Sequence, residues 1–110
     1  MRRVADLPDE PLRIERRGDE RVLVLAGELD MADTDTLTDA ATILAAEPGD
    51  LTLDLHALTF IDSSGLLALL HLADAVRDGK LVLADPTEQV RKVFDLVELA
   101  AVSPRIVIDG

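Results

Sequence analysis

Leu51-Thr52-Leu53-Asp54-Leu55-His56-Ala57-Leu58-Thr59-Phe60-Ile61-Asp62-Ser63-Ser64-Gly65-Leu66 is the stretch on which the fold turns. Its opening residues alternate, placing Leu51, Leu53 and Leu55 on one face of a strand and Thr52, Asp54 and His56 on the other. Past Phe60-Ile61, two hydroxyls stand between an Asp and a Gly. An apolar run from Leu66 to Val76 then reads as a helix, ended by Asp78-Gly79. A strand that hands over directly to a helix marks a chain of alternating β and α elements.

Working outward toward the N-terminus, Arg13 to Arg17 and Arg21 to Ala26 flank Gly18-Asp19, a hairpin signal with a slightly long turn. Gly27-Glu28-Leu29-Asp30 leaves the second strand. A helix is expected from about Thr34 to Ala46, with Asp33 as its N-cap and Pro48-Gly49 at its end. Leu37, Ala40, Ala41 and Leu44 form its apolar face. Toward the C-terminus, Lys80 to Ala84 is a short strand. Asp85-Pro86-Thr87-Glu88 opens a third helix, with Asp85 read as the cap and Pro86 as the first helical residue. Val90, Val93, Phe94 and Val97 share one face of that helix, and Arg105 to Ile108 is a final strand. Residues 1–11 read as a loose N-terminal leader and 12–110 as one domain. The expectation is an α/β fold: a mixed four- to five-stranded sheet with helices packed mainly on one face.

Of the 110 residues, 48% are hydrophobic, enough for a single core. The net charge of −11 sets the surface against phosphate backbones and anionic lipid, so neither nucleic acid nor membrane is an expected partner. Absence of cysteine removes disulfides, thiolate zinc sites and thiol catalysis. Two Phe and no other aromatic residue cannot build a base-stacking platform. No apolar run approaches the roughly 20 residues of a membrane span. Met1-Arg2-Arg3 is followed by Asp6, Pro8, Asp9 and Glu10, where a signal peptide needs its apolar stretch. The expected location is therefore the cytoplasm.

The sharpest chemistry lies at Asp62-Ser63-Ser64-Gly65, and two readings stand side by side. Ser and Asp are favoured helix caps and Gly eases a tight turn, so the segment can be ordinary capping. Alternatively, one serine accepts a phosphate, held by free N–H groups and the positive end of the helix dipole. Such a modification adds roughly −1.5 to −2 charges. It does so beside Asp62, close to Asp30 and Asp85, which leave neighbouring strands. That setting suits a switch that works by repelling a partner.

The same residues carry a resemblance. Gly27-Glu28-Leu29-Asp30, Leu53-Asp54-Leu55, Phe60-Ile61-Asp62-Ser63-Ser64-Gly65-Leu66, Gly79-Lys80-Leu81-Val82-Leu83 and Val90-Arg91-Lys92-Val93-Phe94 resemble bacterial anti-sigma factor antagonists of the STAS class, over about residues 12 to 108. The resemblance implies a non-enzymatic module that captures an anti-sigma factor when unphosphorylated and so releases a sigma factor. It implies that Ser63 is phosphorylated by that anti-sigma factor, an ATP-dependent serine kinase, and that a metal-dependent serine phosphatase reverses the step. Asp30 and Asp62 fall at the partner-binding face, with Ser64 and Gly65 beside the acceptor. One departure is visible: where many relatives carry Thr-Gly-Leu after the third helix, this chain has Val97-Glu98-Leu99.

At about 100° per residue, Ser64, Leu67, His71, Asp74, Ala75 and Asp78 cluster on one side of the second helix. Leu66, Leu69, Leu70, Ala73 and Val76 take the other. Leu67 thus projects with the polar set, near the serine, and is expected to anchor a partner. Asp33-Thr34-Asp35-Thr36-Leu37-Thr38-Asp39 lacks the Gly and Glu of a calcium loop, and His56 and His71 have no second ligand pair. No metal and no cofactor are expected, and the free chain is expected to be a monomer. Two other functions compete. One is a STAS subunit of a larger stress-signalling or transporter assembly. The other is a receiver-like module phosphorylated on Asp54, which would need an acidic pair on the first strand and a downstream Lys that Lys80 does not match in position.

Overall fold

Gly18, with a positive φ of 57°, turns the chain back on itself between two strands. In the computed structural model, which describes residues 11–110, β1 (Arg13–Arg16) pairs antiparallel with β2 (Val22–Leu29), Ile14 opposite Leu25. The expected leader, 1–11, lies outside the described residues except for Pro11. Three parallel pairings follow, through β3 (Leu51–Ile61), β4 (Leu81–Ala84) and β5 (Ile106–Asp109), giving the strand order β1-β2-β3-β4-β5. Each parallel strand is laid down beside its predecessor in the same direction. The right-handed crossover rule then places every connecting helix on one face of the sheet. These helices are α1 (Thr34–Ala45), α2 (Ser63–Ala75), α3 (Glu88–Leu96) and the short α4 (Leu99–Val102). A 3-10 turn, Met31–Asp33, precedes α1. The mixed five-stranded α/β sheet agrees with the expectation.

The core forms between that face and the helices. Leu23, Leu25 and Leu29 of β2 and Leu81 and Leu83 of β4 are buried against Leu37, Leu44, Leu69, Leu72, Val90 and Phe94. Burying each such side chain contributes about 1.5–3 kcal/mol. Strand β3 departs from simple alternation, because Leu55, Leu58 and Ile61 all point inward at a spacing of three. Two register shifts against β2 explain it: Val24 pairs with Asp54 but Ala26 with Ala57, and Gly27 pairs with Leu58 but Glu28 with Phe60. Each shift inserts one extra β3 residue, which restores the inward phase of the next apolar side chain.

Local details differ from the sequence reading in three places. Asp33 occupies the N-cap position of α1 without a capping hydrogen bond from its side chain, and Ala40 is exposed while Ala45 is buried. Asp85 is not the cap of α3: it adopts a left-handed conformation (φ 53°) ahead of Pro86, and Thr87 caps instead. Thr87 Oγ1 accepts from Val90 N at 3.3 Å and donates to Leu58 O at 2.9 Å, tying α3 to β3. Proline disfavours the right-handed helical region for the residue before it, which moves the helix start past Asp85. Val97 is exposed rather than part of the buried face.

Glu98, where the resembling proteins often carry Gly, also sits left-handed, at φ 50° and ψ 52°. That conformation costs a non-glycine residue about 1–2 kcal/mol, whereas Gly loses more entropy on folding, by roughly 0.5–1 kcal/mol. Glu98→Gly is therefore expected to raise stability by about 0.5–1 kcal/mol, seen as a higher urea midpoint at unchanged slope.

Candidate functional site

Strands β2, β3 and β4 run parallel, so their C-terminal ends share one edge of the sheet, where Asp30, Asp62 and Asp85 follow them. Asp62 is extended (φ −110°, ψ −174°) and caps α2, its Oδ1 accepting from Gly65 N at 2.9 Å. Its own N–H reaches Leu29 O at 3.3 Å, fixing the start of the helix to the end of β2. The cap is thus the aspartate and not a serine. Ser63 takes the first helical position, exposed, and its hydroxyl makes no hydrogen bond among the described residues. Ser64 is half-buried behind it.

Gly65, expected at the partner-binding face, is buried. A Cβ there would lie 2.7 Å from both Leu29 O and Ile61 Cγ1. Its part in the site is therefore to let α2 approach the sheet, which places Ser63 at the rim. Asp30, half-exposed, is occupied locally: its Oδ1 accepts from Ala32 N at 3.0 Å and caps the 3-10 turn.

Leu67 is 52% exposed, as the helical phase implies, and separates two grooves. One, of about 290 Å³, lies between α1 and α2 and is lined by Met31, Thr34, Thr38, Ser64, Leu67 and His71. The other, of about 410 Å³, lies between α2 and α4, with Ser63 and Ser64 at its mouth and Leu66, Leu70, Val97 and Val102 along it. Sequence reasoning missed Met31, 74% exposed, and Val102, 59% exposed. Met31 follows Asp30 directly, so its nearness to the site could have been read from that position.

The other candidates are not brought to this edge. Asp54 lies within β3, where it bonds Arg17 and where its Oδ1 accepts from His56 N at 3.1 Å and meets His56 Nδ1 at 2.8 Å. Burial pushes its carboxyl up, but the hydrogen bonds from His56 and Arg17 outweigh this and hold it below the ordinary value. Lys80 Nζ donates to Pro104 O at 2.9 Å. Among the described residues no three His, Asp or Glu side chains are grouped to hold a metal ion. No helix among them is long and apolar enough to cross a membrane.

With this geometry in place, the chain can be set beside known proteins. The sequence pattern described as the STAS domain matches residues 11–107. Among solved structures, the anti-sigma factor antagonist SpoIIAA in its unphosphorylated form aligns at a TM-score of 0.65 and 23% identity, covering 90% of this chain and 87% of that one. A Thermotoga maritima protein assigned as an anti-sigma factor antagonist aligns at 0.65 and 19% identity, covering 92% and 86%. An anti-sigma factor antagonist from Mycobacterium paratuberculosis aligns at 0.63 and 22%, covering 86% and 82%. At these identities the likeness establishes the fold. No curated protein matches the chain in sequence.

Proposed function

The chain belongs to the STAS domain family, and from that premise we propose that it is an anti-sigma factor antagonist switched by phosphorylation of Ser63. Unphosphorylated, it binds an anti-sigma factor that is itself a serine kinase, and a sigma factor is released. Phosphorylated, it lets go, and a serine phosphatase restores it. It is the substrate of these reactions and not their catalyst.

The observation that carries the reading is the freedom of the Ser63 hydroxyl. Asp62 does the capping, so Ser63 stands exposed on the first turn with no hydrogen bond to lose among the described residues. A phosphate added there brings roughly two negative charges next to Asp62. Against an acidic group of the partner at 4 Å, each unit pair costs about 1 kcal/mol in water and about 4 at an effective dielectric constant of 20. That range corresponds to roughly five- to a thousandfold in affinity. The contact surface is the ridge of Met31 and Leu67 beside the serine, with Asp30 and Ser64 at its rim.

Incubation with ATP and the cognate kinase is expected to label Ser63, mapped by mass spectrometry, and Ser63→Ala to abolish the label. Label retained in that variant, or found on Asp54, overturns the assignment. Ser63→Asp should weaken partner binding at least about fivefold by the same repulsion. Leu67→Asp should weaken it with little loss of stability, since the side chain is half in water already. Calorimetry returning wild-type affinity for Leu67→Asp would remove that anchor.

A further inference from the structure

We propose that strand β5 pairs with the β5 of a second copy of this chain, antiparallel about a twofold axis normal to the sheet at Val107, so that two five-stranded sheets join into one. A free monomer is expected from the sequence, and the edge of the sheet points the other way. The pairing does not depend on the proposed chemistry of Ser63.

The two outer strands of the sheet differ. β1 carries Arg13, Glu15 and Arg16, charges of the kind that blunt an edge against strand addition. β5 carries Ile106-Val107-Ile108, with β4 on one side and no strand on the other among the described residues. Arg105 O accepts from Leu81 N at 2.8 Å and Asp109 O from Asp85 N at 2.7 Å. Residues 105, 107 and 109 therefore turn their backbone groups toward β4, while Ile106 and Ile108 turn theirs to the open edge. Ile106 N is taken by Ser103 O at 3.2 Å. Ile106 O, Ile108 N and Ile108 O have no partner among the described residues.

Two registers let these groups meet their twofold copies. Centred on Val107, Ile108 N donates to Ile106 O of the second copy and the reverse, and Arg105 comes opposite Asp109. Centred on Ile108, Asp109 comes opposite Val107, and Arg105 passes the end of β5. Charge selects the first. Arg105 gives Nη2 to Val76 O and Gly79 O and keeps Nε and Nη1 without a hydrogen bond among the described residues. The exposed Asp109 carboxylate has no partner there either. Opposite charges facing each other across a strand pair attract, and the twofold axis makes two such pairs. At the centre Val107, 41% exposed, meets its own copy as a non-hydrogen-bonded pair, the closer of the two kinds. On the helix side, Leu99, Ala100, Ala101 and Ile108 line part of a concavity of about 280 Å³ beside the strand, where the small side chains of α4 leave space for a neighbour. A four-residue edge buries less than the roughly 1,200–2,000 Å² of a stable interface, and two chains of net charge −11 repel. The association is therefore weak and grows with protein concentration.

Sedimentation equilibrium of the full chain, from about 10 μM to about 1 mM, should give an average mass rising toward twice that of one chain. Val107→Asp, its fold checked by circular dichroism, sets like charges face to face on the axis and should hold the mass at one chain. Asp109→Lys discriminates further. It lowers the mutual repulsion of the chains, yet it sets Lys opposite Arg105, so dimerisation should weaken about threefold or more. The register is read by cross-linking. The chain has no cysteine, so Val107→Cys supplies one thiol per copy, and oxidised glutathione takes the two electrons as the disulfide closes. Non-hydrogen-bonded partners about 4.5 Å apart at Cα lie within disulfide reach. In the same register the copies of residue 109 lie about 14 Å apart, so cross-linked dimer should accumulate with Val107→Cys and not with Asp109→Cys. A chain that sediments as a monomer throughout overturns the pairing and leaves a foreign strand as the occupant of this edge. Association that survives Val107→Asp unchanged, tightens in Asp109→Lys or cross-links equally at both positions overturns it as well.

Discussion

Gly65→Ala should lower the stability of the domain by about 2 kcal/mol and reduce labelling of Ser63 even where the protein remains folded. Two opposing terms set that value. Alanine gains about 1 kcal/mol over glycine inside a helix. Against it, the new Cβ meets Ile61 Cγ1 and Leu29 O at 2.7 Å and Leu29 Cγ at 3.0 Å. The side chains can yield a little, but the carbonyl cannot: it belongs to the end of β2 and already accepts from Asp62 N. The helix must therefore lift at its first turn, and overpacking of this kind costs about 1–3 kcal/mol, occasionally more. Lifting moves Ser63 and strains the Asp62 cap, which is worth about 1 kcal/mol. Urea denaturation measures the first effect, and labelling well below the melting temperature measures the second. Gly18→Ala is the control for labelling: its Cβ meets nothing within 4 Å, and any stability it loses comes from its positive φ in the turn between β1 and β2, so Ser63 labelling should be kept. A Gly65→Ala protein as stable as wild type would mean that α2 does not sit this close to β2.

The contrast between these glycines shows what a sequence can display. Gly18 announces itself through the flanking strands, since a hairpin turn is a local event. Gly65 reads locally as a turn residue, whereas its role depends on Leu29, 36 positions earlier, being beside it. The Asp62-Ser63-Ser64-Gly65 segment was legible as a helix start after a buried strand. Which of its polar side chains caps was not, because that depends on where β3 stops. The strand continues to Ile61 only because two extra residues re-phase Leu58 and Ile61 against β2, a pairing between segments about 30 residues apart. Alternation in Leu51 to His56 gave the face correctly; beyond it, period-two reasoning had no signal for the bulges. The same limit applies to Asp85: Pro86 disfavours the right-handed helical region there, but the left-handed turn it adopts, and the bond from Thr87 to Leu58 O that follows, depend on where β3 lies. Leu67 was placed correctly because helical phase within one element is a local property, while the two grooves beside it are made by residues from other helices.

Arg21→Ala is expected to be comparably destabilising, by about 2–4 kcal/mol, but without disturbing the phosphorylation site proposed at Ser63. Helix α1 has no basic residue in its last turn, so its terminal carbonyls face away without a local cation. Arg21, at the entry to β2, supplies one from the side: Nη1 donates to Leu44 O at 2.7 Å, Nη2 to Gly49 O at 3.0 Å and Nε to Asp50 O at 2.9 Å. Hydrogen bonds to a charged group contribute about 1.5–3 kcal/mol each, reduced here because water can reach part of the cluster. The Glu47 carboxylate at 3.6 Å adds little, being 58% exposed. The three carbonyls are met by three separate nitrogens of the planar guanidinium, a spread that the single nitrogen of an ammonium cannot match, so Arg21→Lys should recover less than half of the loss. The same corner carries Gly49 N to Arg77 O and Arg77 N to Ala45 O, both 2.9 Å, which join the C-terminal ends of α1 and α2. Ser63 lies at the other end of α2, a 13-residue helix of about 20 Å. Amide exchange should therefore quicken around Leu44 to Asp50 while Ser63 labelling below the melting temperature stays at the wild-type rate. Equal loss of labelling in Arg21→Ala and Gly65→Ala would show that both act through general unfolding, and would remove the separate role given to the seating of α2 on β2.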